Sequence, residues 1–236
     1  MQSGGFRVAI ASAALAIGAF WASVASAQVL TFEGLKDNEP VNAFYNGGLG
    51  GAGSGPGPNF GVTFTSNSMA LIESDQGGSG NFKGEPSPKT TLYFVTGAAA
   101  EMNIPAGFST GFSFFYSAAF NPGVIKVWSG PNATGTLLAT LNLPVTGDGS
   151  LKPGCNSKQF CPFVPIGVSF TGVAQSVDFG GTVNQIGFDN ITIGSSSPAG
   201  AADLSVPTLD TWAFVILAGL LAIAGFAAIR RRRLGS

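Results

Sequence analysis

Phe112-Ser113-Phe114-Phe115-Tyr116 is the stretch that decides the fold class. Side chains alternate between the two faces of an extended chain, so Phe112, Phe114 and Tyr116 fall on one face. Ten residues on, Ile125 and Val127 repeat the pattern in 124–128. Working outward in both directions, short β-rich runs occur at 29–33, 62–65, 70–73, 92–95, 136–141, 167–170, 176–179 and 185–193. Glycine, proline and asparagine clusters separate them, and no apolar pattern of helical period is sustained over three turns. Residues 28–193 therefore read as all-β, a sandwich or a barrel. The last run breaks phase: Ile186 and Phe188 share one parity, Ile191 and Ile193 the other. One extra residue at Asp189-Asn190 restores the register, which predicts a β-bulge there.

Composition narrows the function. The chain is 45% hydrophobic and 10% charged, and it contains no histidine. The commonest general base, zinc ligand and pH switch are thus missing, and no histidine-dependent catalytic triad can form. Residues 28–205 carry six lysines against eleven acids, a net charge near −5. That balance argues against nucleic acid as a partner, because phosphates attract clustered lysine and arginine.

Both ends are apolar and stand apart from the fold. Arg7, an apolar run over 8–24 and Ala25-Ser26-Ala27 form the three parts of a secretory signal peptide. Cleavage after Ala27 is expected, which leaves Gln28 as the mature start; an uncleaved anchor is the alternative. At the other end a polar linker, 194–205, precedes Val206-Pro207-Thr208-Leu209-Asp210-Thr211-Trp212. Seventeen apolar or small residues, 213–229, then lead to Arg230, Arg231, Arg232 and Arg233. With Trp212 they span about 27 Å as a helix, close to the thickness of a bilayer core. Trp212 suits the outer interface and the arginines the cytoplasmic side. Residues 1–27, 28–193, 194–205 and 206–233 are thus expected to be signal peptide, exported domain, linker and membrane-spanning tail.

The tail resembles the PEP-CTERM class of sorting signals, in the IPTL-CTERM variant whose pattern is I-P-T-L-x-x-W-G, a helix and basic residues. Pro207, Thr208, Leu209 and Trp212 match, whereas Val206 and Ala213 replace the isoleucine and the glycine. The resemblance implies an exosortase-type processing enzyme that recognises 206–209. It implies passage from a single-pass stage in the inner membrane to the cell surface or an extracellular matrix. Thr31-Phe32-Glu33-Gly34-Leu35, Phe44-Tyr45-Asn46-Gly47-Gly48, Gly55-Pro56-Gly57-Pro58-Asn59 and Gly187-Phe188-Asp189-Asn190-Ile191-Thr192 resemble the exported domains of other proteins with such tails. That likeness implies a single jelly-roll-like β-sandwich similar to carbohydrate-binding modules, with no established activity attached.

Individual residues add less. Cys155 and Cys161, with five residues between them, favour a local disulfide in an exported protein. Gly48-Leu49-Gly50-Gly51-Ala52-Gly53 satisfies G-x-G-x-x-G, but no helix pattern follows it, so 46–61 is expected to be a flexible surface loop rather than a cofactor site. Asn132-Ala133-Thr134 and Asn190-Ile191-Thr192 are sequon-shaped and read as turn and strand residues. Glu33, after the first strand, and Asp189, in the bulge of the last, meet if those strands lie side by side. Hard oxygen ligands of that kind suit a structural Ca²⁺; two solvated carboxylates are the alternative, and no other cofactor is expected. Glu73, Asp75, Glu85 and Glu101 supply acids for a glycosidase, but no spacing singles out a pair. Tyr45, Phe60, Phe82 and Trp128 lie in or near polar loops, where aromatic faces stack on sugars. The expectation is a non-enzymatic surface or matrix protein that associates with extracellular polysaccharide. A purely structural protein without a ligand is the second reading, and a carbohydrate-active enzyme the third.

Overall fold

The structure is a computed structural model that describes residues 27–200. The expected signal-peptide residues 1–26, the sorting residues Val206, Pro207, Thr208, Leu209 and Trp212, and Arg230, Arg231, Arg232 and Arg233 lie outside the described residues. Among the described residues no helix is long and apolar enough to cross a membrane.

The described chain is all-β. Its strands are β1 (Gln28–Leu30), β2 (Glu39–Pro40), β3 (Thr63–Phe64), β4 (Ser68–Ile72), β5 (Thr90–Phe94), β6 (Glu101–Ser117), β7 (Gly123–Gly130), β8 (Thr134–Leu143), β9 (Val164–Gly181) and β10 (Gly187–Ile193). One 3-10 turn, Ser74–Gln76, interrupts them. Every strand pairing is antiparallel, in the order β2-β4-β5-β10-β6-β9-β7-β8, with β1 on β10 and β3 on β6. The expected bulge is present: the β10–β6 register shifts between Asp189 and Thr192, and Asn190 takes a left-handed φ of 45°. As a result Ile186, Phe188, Ile191 and Ile193 all reach the core despite their opposite parities.

The sheet folds over its own phenylalanines. Phe94 on β5 and Phe179 on β9 stack with ring centroids 4.6 Å apart. In a flat sheet these strands would lie about 14 Å apart, at roughly 4.8 Å per neighbour. The contact therefore runs between two layers of a sandwich. Phe112, Phe114 and Phe188 complete the cluster from β6 and β10, in edge-on or tilted pairs at 5.3–5.5 Å with one another and Phe179. The alternating stretch that opened the sequence analysis is thus the centre of the core.

The strands are longer than expected where bulges preserve pairing across breakers. β6 carries Pro105 and Gly107, and its register with β9 shifts between Asn103 and Phe108 and again between Phe108 and Thr110. The glycine-rich run is also unlike the expected flexible loop. Buried Glu39 accepts hydrogen bonds from Ala52 N (2.8 Å), Ser54 N (3.0 Å), Ser54 Oγ (2.5 Å) and Lys36 N (2.7 Å). Gly50 packs so close that a Cβ there would sit 2.6 Å from Glu39 Oε1. Gly50 thus serves close packing around a buried anion, while Gly51 packs on Pro40 and Gly57 on Phe44.

Candidate functional site

β1 and β5 meet end to end along one edge of β10, and their junction lies at the bulge. Leu30 pairs with Ile191 and Leu92 pairs with Phe188. The segment leaving β1, Thr31-Phe32-Glu33, and the segment entering β5, Ser87 to Thr90, therefore converge beside Asp189. Glu33 and Asp189 are brought to one place as expected from sequence, but their shared partner is a segment that sequence reasoning did not single out.

Both carboxylates grip that segment. Asp189 accepts hydrogen bonds from Ser87 N (2.8 Å), from Ser87 Oγ (2.7 Å to either oxygen) and from Asn190 N (2.7 Å). Glu33 Oε1 accepts from Lys89 N (2.9 Å) and Thr90 N (2.8 Å), with Thr90 Oγ1 3.3 Å from Oε2. Ser87 Oγ also lies 3.0 Å from the Thr31 carbonyl. The Ser87 hydroxyl thus has three acceptor oxygens within reach, two of which are already served by the Ser87 and Asn190 amides.

The electrostatics agree. Burial pushes the Asp189 carboxyl up to about 8 against the hydrogen bonds from Ser87 and Asn190, and Glu33 adds to the rise. Burial also raises Glu85 to about 7, with repulsion from Glu73 and Glu33. Its Oε2 is buried without a hydrogen-bond partner among the described residues. The carboxylate oxygens at the junction are already engaged by the amides of Ser87, Lys89, Thr90 and Asn190. Among the described residues no three Asp, Glu, His or Cys side chains converge on a metal position. Ser87 Oγ and main-chain carbonyls such as that of Thr31 would have to complete a coordination shell begun by Glu33 and Asp189.

A second feature lies beside this junction. The Cys155–Cys161 disulfide is formed, with Cα atoms 5.7 Å apart. The loop it closes is latched to the strand layer by Lys158, whose Nζ reaches Asp75 Oδ1 (2.7 Å), and by Gln159, whose Oε1 accepts from Asn81 Nδ2 (2.8 Å). The hydrogen bond from Lys158 holds the Asp75 carboxyl below its usual range. Glu73 is buried and pairs with Lys83 at 2.6 Å, and Glu101 sits opposite Asp178 on the neighbouring strand. Of the acids considered for a glycosidase, Glu73 and Asp75 share Lys83, Glu85 lies near Glu73, and Glu101 is elsewhere on β6.

Of the aromatic residues expected to meet sugars, Tyr45 and Phe82 lie in the interior, while Phe60 and Trp128 are half-buried. The Tyr45 ring stacks on Phe60 while its hydroxyl accepts from Phe32 N. Trp128 lies in β7 with its Nε1 buried and unpartnered among the described residues. The other side of β5 supplies a different aromatic. Leu92 and Phe94 point into the core, and on the opposite side buried Thr91 and half-buried Tyr93 line a half-open cavity of about 220 Å³. Phe160 of the disulfide loop, Asn81, Asn184 and Gln185 also line it. Alternation in β5 could have put Tyr93 on the outer face, but nothing local foretells a wall built by a loop some seventy residues on.

Residues 205–233 match the family model of the IPTL-CTERM motif. No curated protein matches the chain. Among solved structures it is similar to a carbohydrate-binding module (CBM6cm-2) from Cellvibrio mixtus lichenase 5A in complex with cellotriose, at 15% identity and TM-score 0.30, covering 55% of this chain and 88% of that one. CsCBM6-3 from Clostridium stercorarium in complex with cellobiose is 19% identical at TM-score 0.34, over 58% of this chain and 95% of that one. The K3 cleaved adhesin domain of Lys-gingipain from Porphyromonas gingivalis w83 is 15% identical at TM-score 0.28, over 72% and 93%.

Proposed function

We propose that this is an exported, non-enzymatic protein of the cell surface or extracellular matrix, delivered by its C-terminal sorting signal and associated there with polysaccharide. The observation that carries the reading is the IPTL-CTERM motif at 205–233. In this reading the signal peptide is removed after Ala27, residues 213–229 hold the precursor in the inner membrane, and an exosortase-type enzyme acts at 206–209. The formed disulfide supports an oxidising destination. The folded body supports the cleavage position, because Gln28 is already a paired strand residue, opposite Ile193.

Export is tested by replacing Pro207 and Trp212 together with alanine in the native host. The variant is expected to accumulate in the inner membrane while the unaltered protein leaves it; equal distribution of the two would overturn the sorting reading. Polysaccharide association is tested by co-sedimentation of the full chain with exopolysaccharide from the same host. Saturable retention is expected, and its absence leaves a purely structural surface protein.

A structural calcium belongs to the same reading, held by Glu33 and Asp189 and completed by neighbouring oxygens. Its role would be to neutralise the buried acids at the junction of β1, β5 and β10. Millimolar Ca²⁺ is expected to raise the unfolding temperature and a chelator to lower it again. Indifference to both would leave a proton on Asp189 as the means of balancing the cluster.

A further inference from the structure

We propose that the cavity over Tyr93 binds one pyranose ring of a neutral polysaccharide. This rests on the polysaccharide reading above and names its site and its class of sugar. The floor is aromatic and fixed: the Tyr93 hydroxyl donates to Asn38 Oδ1 at 3.0 Å, which holds the ring in place before any ligand arrives. Phe160 stands as a second aromatic wall on the loop that Cys155–Cys161 closes. A pyranose offers a C–H face to such rings and a rim of hydroxyls around it.

The cavity matches that rim with carboxamides. Asn81, Asn184 and Gln185 line it, and each carries a donor and an acceptor, as a sugar hydroxyl requires. Two of them are braced. Asn81 is tied to Gln159 by its Nδ2 (2.8 Å) and its Oδ1 (3.2 Å), and Asn184 Nδ2 donates to the Val95 carbonyl at 3.2 Å. Gln185 is exposed at the mouth and is free of such bracing.

Size and charge restrict the occupant further. At about 220 Å³ the cavity is smaller than the roughly 300 Å³ at which pockets for drug-sized ligands begin, so it takes one ring of a longer chain and leaves the rest outside. No charged side chain lines it, so it offers no partner to a uronate or phosphate group.

The test uses the full chain in detergent micelles, with laminarin, dextran and mannan as neutral probes and alginate as the uronate probe. Saturable binding to at least one neutral polymer is expected, competed by its free monosaccharide and absent on alginate. Tyr93→Ala is expected to weaken it about tenfold, the scale of one lost aromatic contact. Because Tyr93 also supports the fold through Asn38, Gln185→Ala serves as the second variant; it should weaken binding several-fold with an unchanged unfolding temperature. Neutral-polymer binding that both variants leave intact would overturn the groove and keep the polysaccharide reading. Binding confined to alginate would overturn the neutral class. Binding to none of the four probes or to host exopolysaccharide would overturn the groove and the polysaccharide reading together.

Discussion

Glu39 shows how one buried acid organises sixteen residues of glycine-rich chain. Burial alone pushes its carboxyl up, but hydrogen bonds from Ser54 Oγ and from the amides of Lys36, Ser54 and Ala52 outweigh that and hold it below its ordinary 4.5. A lowered folded value means the stabilisation is complete above 4.5 and is lost as pH falls through the folded value. Glu39→Ala is expected to cost about 3 kcal/mol in urea unfolding at neutral pH, since several donors to a charged acceptor lose their partner at once. The difference between wild type and Glu39→Gln is expected to shrink below about pH 4, and a difference independent of pH would refute the assignment. Nothing in the sequence marked Glu39, because a buried carboxylate follows no local pattern. Glu33 and Asp189 were legible only through strand order, and Ser87 between them was not. Tyr45 shows the same limit: it stands beside the polar run that starts at Asn46, yet it is core.

At the scale of elements, alternation located most strands and misjudged their lengths. The runs at 167–170 and 176–179 are one strand, β9, because pairing to β6 continues past Gly172. Breakers inside a strand weaken it locally, but a long partner with bulges of its own restores the ladder. The bulge in β10 was legible because both flanking pairs of apolar residues had to reach one core. β2 was not, since two residues that include a proline leave no periodicity to read. The disulfide loop is the element whose removal is most informative. Replacing Cys155 and Cys161 with serine is expected to lower stability by about 2 kcal/mol, the entropic value for so short a closed loop. Far-UV circular dichroism should stay unchanged, because the strands lie outside the loop. Loss of the whole β signal would contradict the view of the loop as a wall added to a complete sandwich.

For the whole molecule, two layers of one antiparallel sheet close over phenylalanines, and the sorting motif matches at 205–233. Phe179 touches Phe94, Phe112 and Phe188, and so joins both layers. Phe179→Ala is expected to cost about 3–5 kcal/mol, read by the midpoint of urea unfolding; a loss under about 1 kcal/mol would mean that the layers are not held together there. Fold class and sorting motif were both legible, the first from period-two alternation and the second from a linear pattern. The groove was not, since it joins β5 to residues brought together only by tertiary folding. The central claim is export followed by release at the sorting motif, and the intact mass of the protein in each fraction of its native host tests it most directly. A species that starts at Gln28, ends within 206–209 and lies outside the inner membrane is the expected result. A species that retains Arg230 to Arg233 and stays in the inner membrane would contradict it, and the tail would then be a permanent anchor.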